Sequence, residues 1–391
     1  MPEPSLGLIM ILRDEAANLE RSLAPVASCF DEVVVVDTGS RDQTPSLCAQ
    51  LGAQVQAMPW RDDFAAARNR SIEAAQADWL LWLDGDNAIT PRDVDQLRKV
   101  IPAEGPAVVW AQEQVVPVGG RLWQKRCFPR HPEVRFQGRV HEQLVHPPGW
   151  PSLVAPVTVL HWGYQDPQRH AAKGRYYLGL LEQTLEENPG DFYALWQAAR
   201  CHYNLRQFSQ AAELLERLSQ QRQAREHNPQ LWAAAHHLWA QALERLGRAG
   251  EAEQILEHVL DVMPWNGHSH YQRGHLAYTL RDWAKAVRHL RLALNCGLGL
   301  PLVDIDPEKT LFLADYFMGR SLEHLGQPAE AAQALARAVQ RDPASAGARS
   351  QLARLLAGMG QNQQAKEQLE QVLQLRPQDR QARSLLQAMA G

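Results

Sequence analysis

Apolar residues in the first 165 positions come in short runs: Leu6 to Leu12, Val33 to Val36, Ala53 to Ala57 and Trp79 to Leu83. Runs of this length rich in Val, Ile, Leu and Trp predict strands buried on both faces. Between them, Ala16 to Ala27, Gln43 to Leu51 and Phe64 to Ala77 carry a helical spacing. Strands alternating with helices of about ten residues predict right-handed crossovers and a parallel sheet. After Thr90-Pro91, a favourable helix start, the pattern loosens into strands expected near Ala107 to Val116, Arg121 to Phe128 and Val157 to Trp162. Residues 166–191 read as a helical bridge.

Beyond the bridge the rhythm changes. The dipeptides Leu205-Arg206, Leu246-Gly247, Leu280-Arg281, Leu325-Gly326 and Met359-Gly360 have the character of a turn between two helices. Six residues after each turn stands an alanine: Ala211, Ala252, Ala286, Ala331 and Ala365. Leucine follows four later, at Leu215, Leu256, Leu290, Leu335 and Leu369, and a small residue precedes by twelve, at Ala199, Ala240, Gly274, Gly319 and Ala353. Proline closes three of the repeats, at Pro264, Pro343 and Pro377. Two antiparallel helices approach closely where small side chains face each other and a leucine fills the space beside them, and such pairs stack into a solenoid. The pattern resembles the tetratricopeptide repeat, a helix-turn-helix unit of about 34 residues, over 192–391. Two intervals depart from it: 41 residues between the first and second alanines, and 45 between the third and fourth, where 297–307 reads as an inserted loop.

At roughly 150 residues per domain, the 391 residues fit this division: an α/β domain over 1–165, a bridge over 166–191, and about five repeats over 192–391. Forty basic against 44 acidic residues give a net charge of −4, so no global basic field exists to hold nucleic acid or an anionic membrane. The apolar runs fall well short of the roughly 20 residues needed to span a bilayer. The first is followed at once by Arg13, Asp14 and Glu15, which does not suit a signal peptide, and a cytoplasmic location is the expectation. Five scattered cysteines without a Cys-x-x-Cys pair suggest neither a disulfide framework nor a zinc site.

Ligands of open parallel sheets bind outside the carboxyl ends of the strands. Three of those ends here carry acids: Arg13-Asp14-Glu15, Asp37 to Asp42, and Asp84-Gly85-Asp86. One acidic strand end is ordinary turn chemistry; three on one edge point to a site. In Asp84-Gly85-Asp86 two carboxylates stand one glycine apart at the mouth of a buried strand. They are close enough to share a hard cation, or to divide between a cation and a ligand hydroxyl. Mg²⁺ and Mn²⁺ take one or two protein carboxylates and fill their other positions with phosphate oxygens and water, so a diphosphate ligand suits the pair.

Four ordered strings carry a resemblance: Ile9 to Leu23 around Arg13-Asp14-Glu15, Glu32 to Thr44 around Asp37, Asp62-Asp-Phe-Ala-Ala-Ala-Arg-Asn69, and Trp79 to Asp86. Together they resemble family 2 glycosyltransferases with the nucleotide-diphospho-sugar (GT-A) fold. Two later strings, Arg135 to Leu144 and His161-Trp-Gly-Tyr164, resemble the branch of that family fused to tetratricopeptide repeats, which includes bacteriocin peptide glycosyltransferases, some acting on cysteine. The resemblance thus spans the chain, and implies a mostly parallel α/β domain followed by an all-α solenoid. Asp14 and Asn87 depart from it, standing where that branch commonly has Asn and an acid.

The resemblance further implies that Asp37 binds the base of the donor, a uridine diphosphate sugar being the commonest in the family. Arg13 and Asp14 would lie beside the donor, Asp84 at its ribose or sugar, and Asp86 at a Mn²⁺ or Mg²⁺ bridging the phosphates. Arg68 is either a phosphate-binding guanidinium or a surface arginine on an amphipathic helix, and Asp42 either lies near the donor or caps the following helix. Inverting transfer also needs a base at the acceptor. Glu142 is the candidate, with a structural ion pair as its alternative. His141 beside it orients acceptor or phosphate, or belongs to the loop. His161, closing the strand from Val157, is either a third metal ligand or structural, and Trp162 and Tyr164 either line the pocket or pack in the core.

Two functions therefore stand: a glycosyltransferase whose repeats recruit or orient an acceptor, with a peptide or protein, a lipid-linked saccharide and a small molecule all left open, or an interaction scaffold with an idle catalytic domain. A nucleotidyltransferase would need a glycine-rich, basic phosphate loop after the first strand, and residues 13–18 contain no glycine. The aromatics Trp196, Trp232, Trp239, Trp265, Tyr271 and Trp283 are a binding surface or inter-helix filling.

Overall fold

The computed structural model describes residues 3–116, 121–162, 167–221, 225–226, 228–298 and 307–389, with side chains of the bridge helix from Lys173 onward. The chain divides into two compact units, Met1–Arg206 and Gln207–Gly391.

In the first unit, β1 (Leu6–Leu12), β2 (Glu32–Asp37), β3 (Gln54–Ala57) and β4 (Trp79–Asp84) occupy the expected runs. They pair in parallel in the order β3-β2-β1-β4. The sheet then departs from a purely parallel one. It continues through β7 (Arg121–Pro129), β6 (Val108–Val115), β10 (Ser152–His161) and the short β5 (Asn87–Ala88). Here β7 is antiparallel to both β4 and β6, β10 is parallel to β6, and β5 is antiparallel to β10. A hairpin, β8 (Arg135–Gln137) with β9 (Gln143–Val145), forms a second sheet that the pattern did not predict.

Alternation along β1 explains the layering, since successive side chains of a strand face opposite sides. Leu6, Leu8, Met10 and Leu12 pack into one core with Leu19, Val94 and Leu97, from α1 (Leu19–Ser22) and α4 (Pro91–Val100). Ile9 packs on the other face with Ala65 and Ile72 of α3 (Phe64–Ala74) and with Phe136 and Leu144 of the hairpin. The first helix is shorter than its periodicity suggested, Leu19–Ser22 in place of Ala16 to Ala27, and is followed by a separate 3-10 turn at Ala27–Cys29. The capping box between Thr90 and Asp93 starts α4, as Thr90-Pro91 suggested. Helices α5 (Pro167–Glu187) and α6 (Phe192–Asn204) belong to this first unit.

The second unit is a series of helix pairs: α7 (Phe208–Ser219), α8 (Pro229–Arg245) with α9 (Ala249–Val262), α10 (Gly267–Thr279) with α11 (Trp283–Cys296), α12 (Pro307–His324) with α13 (Pro328–Arg341), α14 (Ala346–Gly358) with α15 (Asn362–Leu375), and α16 (Arg380–Ala388). The aligned small residues and leucines meet as expected. A β-carbon on Gly274 would stand 2.7 Å from Leu290 Cγ, and one on Gly319 2.8 Å from Leu335 Cγ. Trp196, Trp232 and Tyr271 are buried, whereas Trp265 is 67% exposed, so inter-helix filling accounts for most of the aromatics. The greater part of the 297–307 insertion, and Tyr164, lie outside the described residues.

Candidate active site

Parallel pairing of β1, β2 and β4 brings three acidic ends to one edge of the sheet. Leu12 is level with Asp37, and Ile11 with Asp84. Two clusters form there. In the first, the Asp14 N–H donates to Ser40 Oγ at 2.9 Å, and its carboxylate accepts from the Arg41 N–H at 2.7 Å. The buried Asp37 carboxylate accepts from the backbone N–H groups of Gly39 and Ser40, each at 3.2 Å. Asp42 accepts from the N–H groups of Thr44 and Ala16 at 2.9 and 3.0 Å. Bonding to Thr44 holds the Asp42 carboxyl below its ordinary range, so it braces the start of α2 (Thr44–Gln50). Arg13 is exposed at the end of β1.

The second cluster lies at the end of β4. Asp63 caps α3 by accepting from the Ala66 N–H at 2.8 Å. The alanines of its first turns let α3 approach the sheet, and Arg68 is only 5% exposed, which overturns the surface reading of that residue. Its guanidinium stacks on Trp82, 4.2 Å from the ring centre. It donates through Nη2 to Asp84 at 2.6 Å and through Nε to Glu142. The adjacent Asn69 brings Glu142 within reach. Its amide donates to the Phe136 carbonyl at 2.9 Å and accepts from the Phe136 N–H at 2.8 Å, fastening the hairpin to α3. His141, at a left-handed φ of 53°, turns the chain just before Glu142.

A β-carbon on Gly85 would lie 2.6 Å from Glu15 Cγ and 2.9 Å from Leu12 Cδ2, so any larger residue there would displace those side chains. Asp86 is held by pairing of β5 with β10: His161 is level with Asn87, and the Trp162 N–H donates to the Asp86 carbonyl at 3.0 Å. His161 Nδ1 thereby lies 3.3 Å from Asp86 Oδ1. Burial opposes a charge on His161, but the Asp86 carboxylate, backed by Glu113 and Asp84, raises its pKa above the ordinary value. Burial opposes charge on Asp84 too, yet Arg68 and Arg126 hold it below the usual carboxylate range. Trp162 lies beneath Arg21, whose guanidinium is 5.0 Å from its ring centre.

Behind this turn is a network that sequence reasoning missed. Arg126 on β7, 1% exposed, pairs with Glu113 of β6, stacks 3.8 Å from the Trp82 ring centre, and donates to Asn87 Oδ1 at 3.0 Å. Asn87 Oδ1 also accepts from the Asp84 N–H at 3.1 Å. With the oxygen so engaged, its amide nitrogen faces His161 Nδ1 at 3.0 Å. Asn87, noted in the sequence only as a departure, thus links Arg126, Asp84 and His161. The sequence signal was weak: Glu113 is the one acid in β6, but Arg126 is one of three basic residues in β7, beside Arg121 and Lys125.

Among the described residues no group of three or more His, Cys, Asp or Glu side chains converges on a common metal position. Asp86 and His161 are the pair that could contribute to one, and the Asn87 amide nitrogen stands 3.0 Å from the same His161 Nδ1. The 3.3 Å separation of Asp86 and His161 is close to the roughly 3 Å between neighbouring ligands of an octahedral ion with bonds of about 2.1 Å, and such ions fill their other positions with phosphate and water.

Residues 8–153 match the Glycosyl transferase family 2 profile, and residues 178–238 and 323–389 match a tetratricopeptide-repeat profile. The N-terminal domain is a family 2 glycosyltransferase domain. Its profile match includes both acidic clusters and Glu142 but ends before His161. A TPR repeat-containing protein of Synechococcus elongatus is 34% identical over 200 residues, covering 48% of this chain and 50% of that protein. The SPbeta prophage-derived glycosyltransferase SunS of Bacillus subtilis is 26% identical over 199 residues, covering 48% of this chain and 46% of its own. An uncharacterized glycosyltransferase of Rickettsia bellii is 28% identical over 99 residues, covering 25% of this chain and 33% of its own. The chain therefore spans about half the length of the first two relatives. Among solved structures, the TPR protein YrrB covers 54% of this chain and 98% of its own at 19% identity, with a TM-score of 0.40. Among the described residues, no helix is long and apolar enough to cross a membrane.

Proposed function

We propose that the chain is a metal-dependent inverting glycosyltransferase that moves a sugar from a nucleoside-diphosphate donor, with uridine as the expected base, to an acceptor recruited by the repeats. The observation that carries this reading is the convergence of Asp84, Asp86, His161 and Glu142 at the end of β4, with Arg68 bonded to two of the four. The family 2 profile match supports it. A Mn²⁺ or Mg²⁺ held by Asp86 and His161 would neutralise charge on the leaving diphosphate. Asp37, Arg13 and Asp14 would border the nucleoside, and Asp84 the ribose or sugar.

In the transfer, the bond from the anomeric carbon to the β-phosphate oxygen breaks and its electron pair leaves with the diphosphate. The acceptor heteroatom bonds the anomeric carbon from the opposite face, and its proton passes to a base. Glu142 suits that role: Arg68 Nε fixes Oε1, which leaves Oε2 to take the proton. His141 would steer the acceptor beside it. Repeats present extended grooves suited to peptides and proteins, which makes a peptide or protein the acceptor class to test first. The commitment of both Asp84 and Glu142 to Arg68 favours a second reading, in which the cluster is structural and the repeats are the working part.

The deciding experiment is a thermal-shift titration of the whole chain with nucleoside diphosphates, with and without Mn²⁺, since a ligand of the native state raises the melting temperature. Metal-dependent stabilisation by one diphosphate, lost in Asp86→Ala, is expected. A flat response to every nucleotide would leave the scaffold reading standing.

A further inference from the structure

The bridge helix α5 carries two side chains to the site that neither the motifs nor the strand ends suggested. The Tyr177 ring packs edge-on against His141, with centres 5.4 Å apart, and against Phe64 at 5.7 Å. One helical turn earlier, Lys173 is exposed, with Nζ 5.6 Å from the Tyr177 ring centre. The same ammonium feels the attraction of Tyr177, Asp86 and Asp84. The helix is fastened over the domain independently of these residues: Trp60 Nε1 donates to the Tyr176 hydroxyl and to Asp62, each at 2.8 Å, and Arg139 pairs with Glu187.

Charge bookkeeping shows what this ammonium adds. The four carboxylates of Asp84, Asp86, Glu113 and Glu142 face the two guanidinium groups of Arg68 and Arg126, a formal excess of two negative charges. A divalent cation would bring such a site only to neutrality, and a neutral site gives a diphosphate no long-range attraction. Arg68 and Arg126 are already committed to carboxylates, Arg68 to Asp84 and Glu142 and Arg126 to the buried Glu113. Lys173, on a flexible four-carbon stem, is a further cation drawn to the same edge, on a residue that is exposed as a whole.

We propose that Lys173, oriented by Tyr177, is a diphosphate-binding residue that contacts the β-phosphate of the donor and takes up the charge left on it when the bond to the sugar breaks. This rests on the glycosyltransferase reading above. As that bond breaks, the electron pair adds one negative charge to the β-phosphate oxygen. A charge-assisted hydrogen bond from an ammonium strengthens as that charge grows. Lys173 keeps its proton throughout. Its interaction is with the second phosphate rather than with the nucleoside, which gives it a signature distinct from that of Asp37 or Asp14.

The test is calorimetric titration of the full-length protein with uridine diphosphate and uridine monophosphate in Mg²⁺, comparing wild type, K173M, K173R and D86A. K173M is expected to weaken diphosphate binding about tenfold or more while monophosphate binding changes less than twofold, with K173R recovering most of the loss. Equal weakening of both nucleotides, or unchanged diphosphate binding in K173M where D86A has lost it, would overturn the role of Lys173 while leaving the donor site in place. If wild type binds neither uridine diphosphate nor the adenosine, guanosine, cytidine and thymidine diphosphates, the glycosyltransferase reading fails and the proposal with it. K173Q gives the same comparison should the methionine variant melt below wild type.

Discussion

The two units bury polar side chains for different ends. In the first, charged groups that are buried or half-buried join one another at one sheet edge: Arg68 with Asp84 and Glu142, Arg126 with Glu113 and Asn87. In the second, four of the buried polar groups are histidines set in or between helices. His236 Nδ1 lies 2.8 Å from the Trp232 carbonyl, His237 Nε2 lies 2.6 Å from Ser269 Oγ, and His270 Nδ1 lies 3.1 Å from His289 Nδ1. The one fully buried carboxylate noted there, Asp315, bonds Arg337 and Arg341 at 2.8 and 2.9 Å and ties α12 to α13. Buried ions are expensive to desolvate, and where they converge with an open side they suggest ligand chemistry. Buried neutral imidazoles satisfied within helix pairs suggest packing.

The largest effect that could break this contrast comes from Asp86→Ala. A cation is worth several kcal/mol of transition-state stabilisation, or about a thousandfold in rate, so sugar transfer should all but vanish while the melting temperature holds. Steady turnover with purified donor would remove Asp86 from the chemistry. Glu142→Gln should cost about 10²- to 10⁴-fold in kcat, as loss of a general base does, with donor affinity little changed. Unfolding of the domain, or an unaltered rate, would assign Glu142 to structure.

Arg68→Met tests the first unit's stability directly. It leaves Asp84 and Glu142 without their shared partner. Breaking a buried pair costs about 3–5 kcal/mol, and the lower end applies because the Asp84 side chain is 35% exposed. Scanning calorimetry should show the transition of the first unit falling, and a shift confined to the second would contradict the division drawn here.

Acidification should act on the units in the opposite order. Burial pushes His236 and His268 down to about 4 from 6.5. Burial, with Arg273 and Arg288 nearby, pushes His289 to about 3. Below pH 6.5 these groups take up protons in the unfolded chain but not in the folded one, so the second unit should lose stability as pH falls from 6.5 toward 3 and level off below that. Asp42 and Asp78 have lowered values, from bonds to Thr44 and to Ser5 respectively. Their contribution is present above the ordinary 3.8 and fades only below it. Calorimetric transitions that move together between pH 7 and 5 would refute the contrast.

The smallest effect is at Gly274→Ala. Overpacking against Leu290 costs about 1–3 kcal/mol, partly offset by roughly 1 kcal/mol of helix propensity. A net loss near 1 kcal/mol in the second unit is expected, and a gain in its melting temperature would show that the helices do not meet where Gly274 and Leu290 indicate.

Local pattern determined much of this protein. The apolar runs marked β1, β2 and β4 because a strand buried on both faces leaves little room for polar residues, whereas β3 formed where expected but as an edge strand that is nowhere fully buried. The Ala and Leu spacing marked the helix pairs because close approach admits only small side chains. The Asp-Gly-Asp turn was legible because its residues are adjacent in the chain. Tertiary structure alone decided how those residues are used. Arg68, read as a surface residue or a phosphate ligand, became the buried link between Asp84 and Glu142, 74 residues from the latter. Asn87 acquired its place from Arg126 and His161, and Lys173 reached the acidic edge on a helix expected only to connect. The antiparallel β7, the β8–β9 hairpin and the early end of α1 likewise depended on partners far along the chain. Periodicity reports which face of an element is buried, whereas the position of a charge depends on distant residues that share its low-dielectric surroundings.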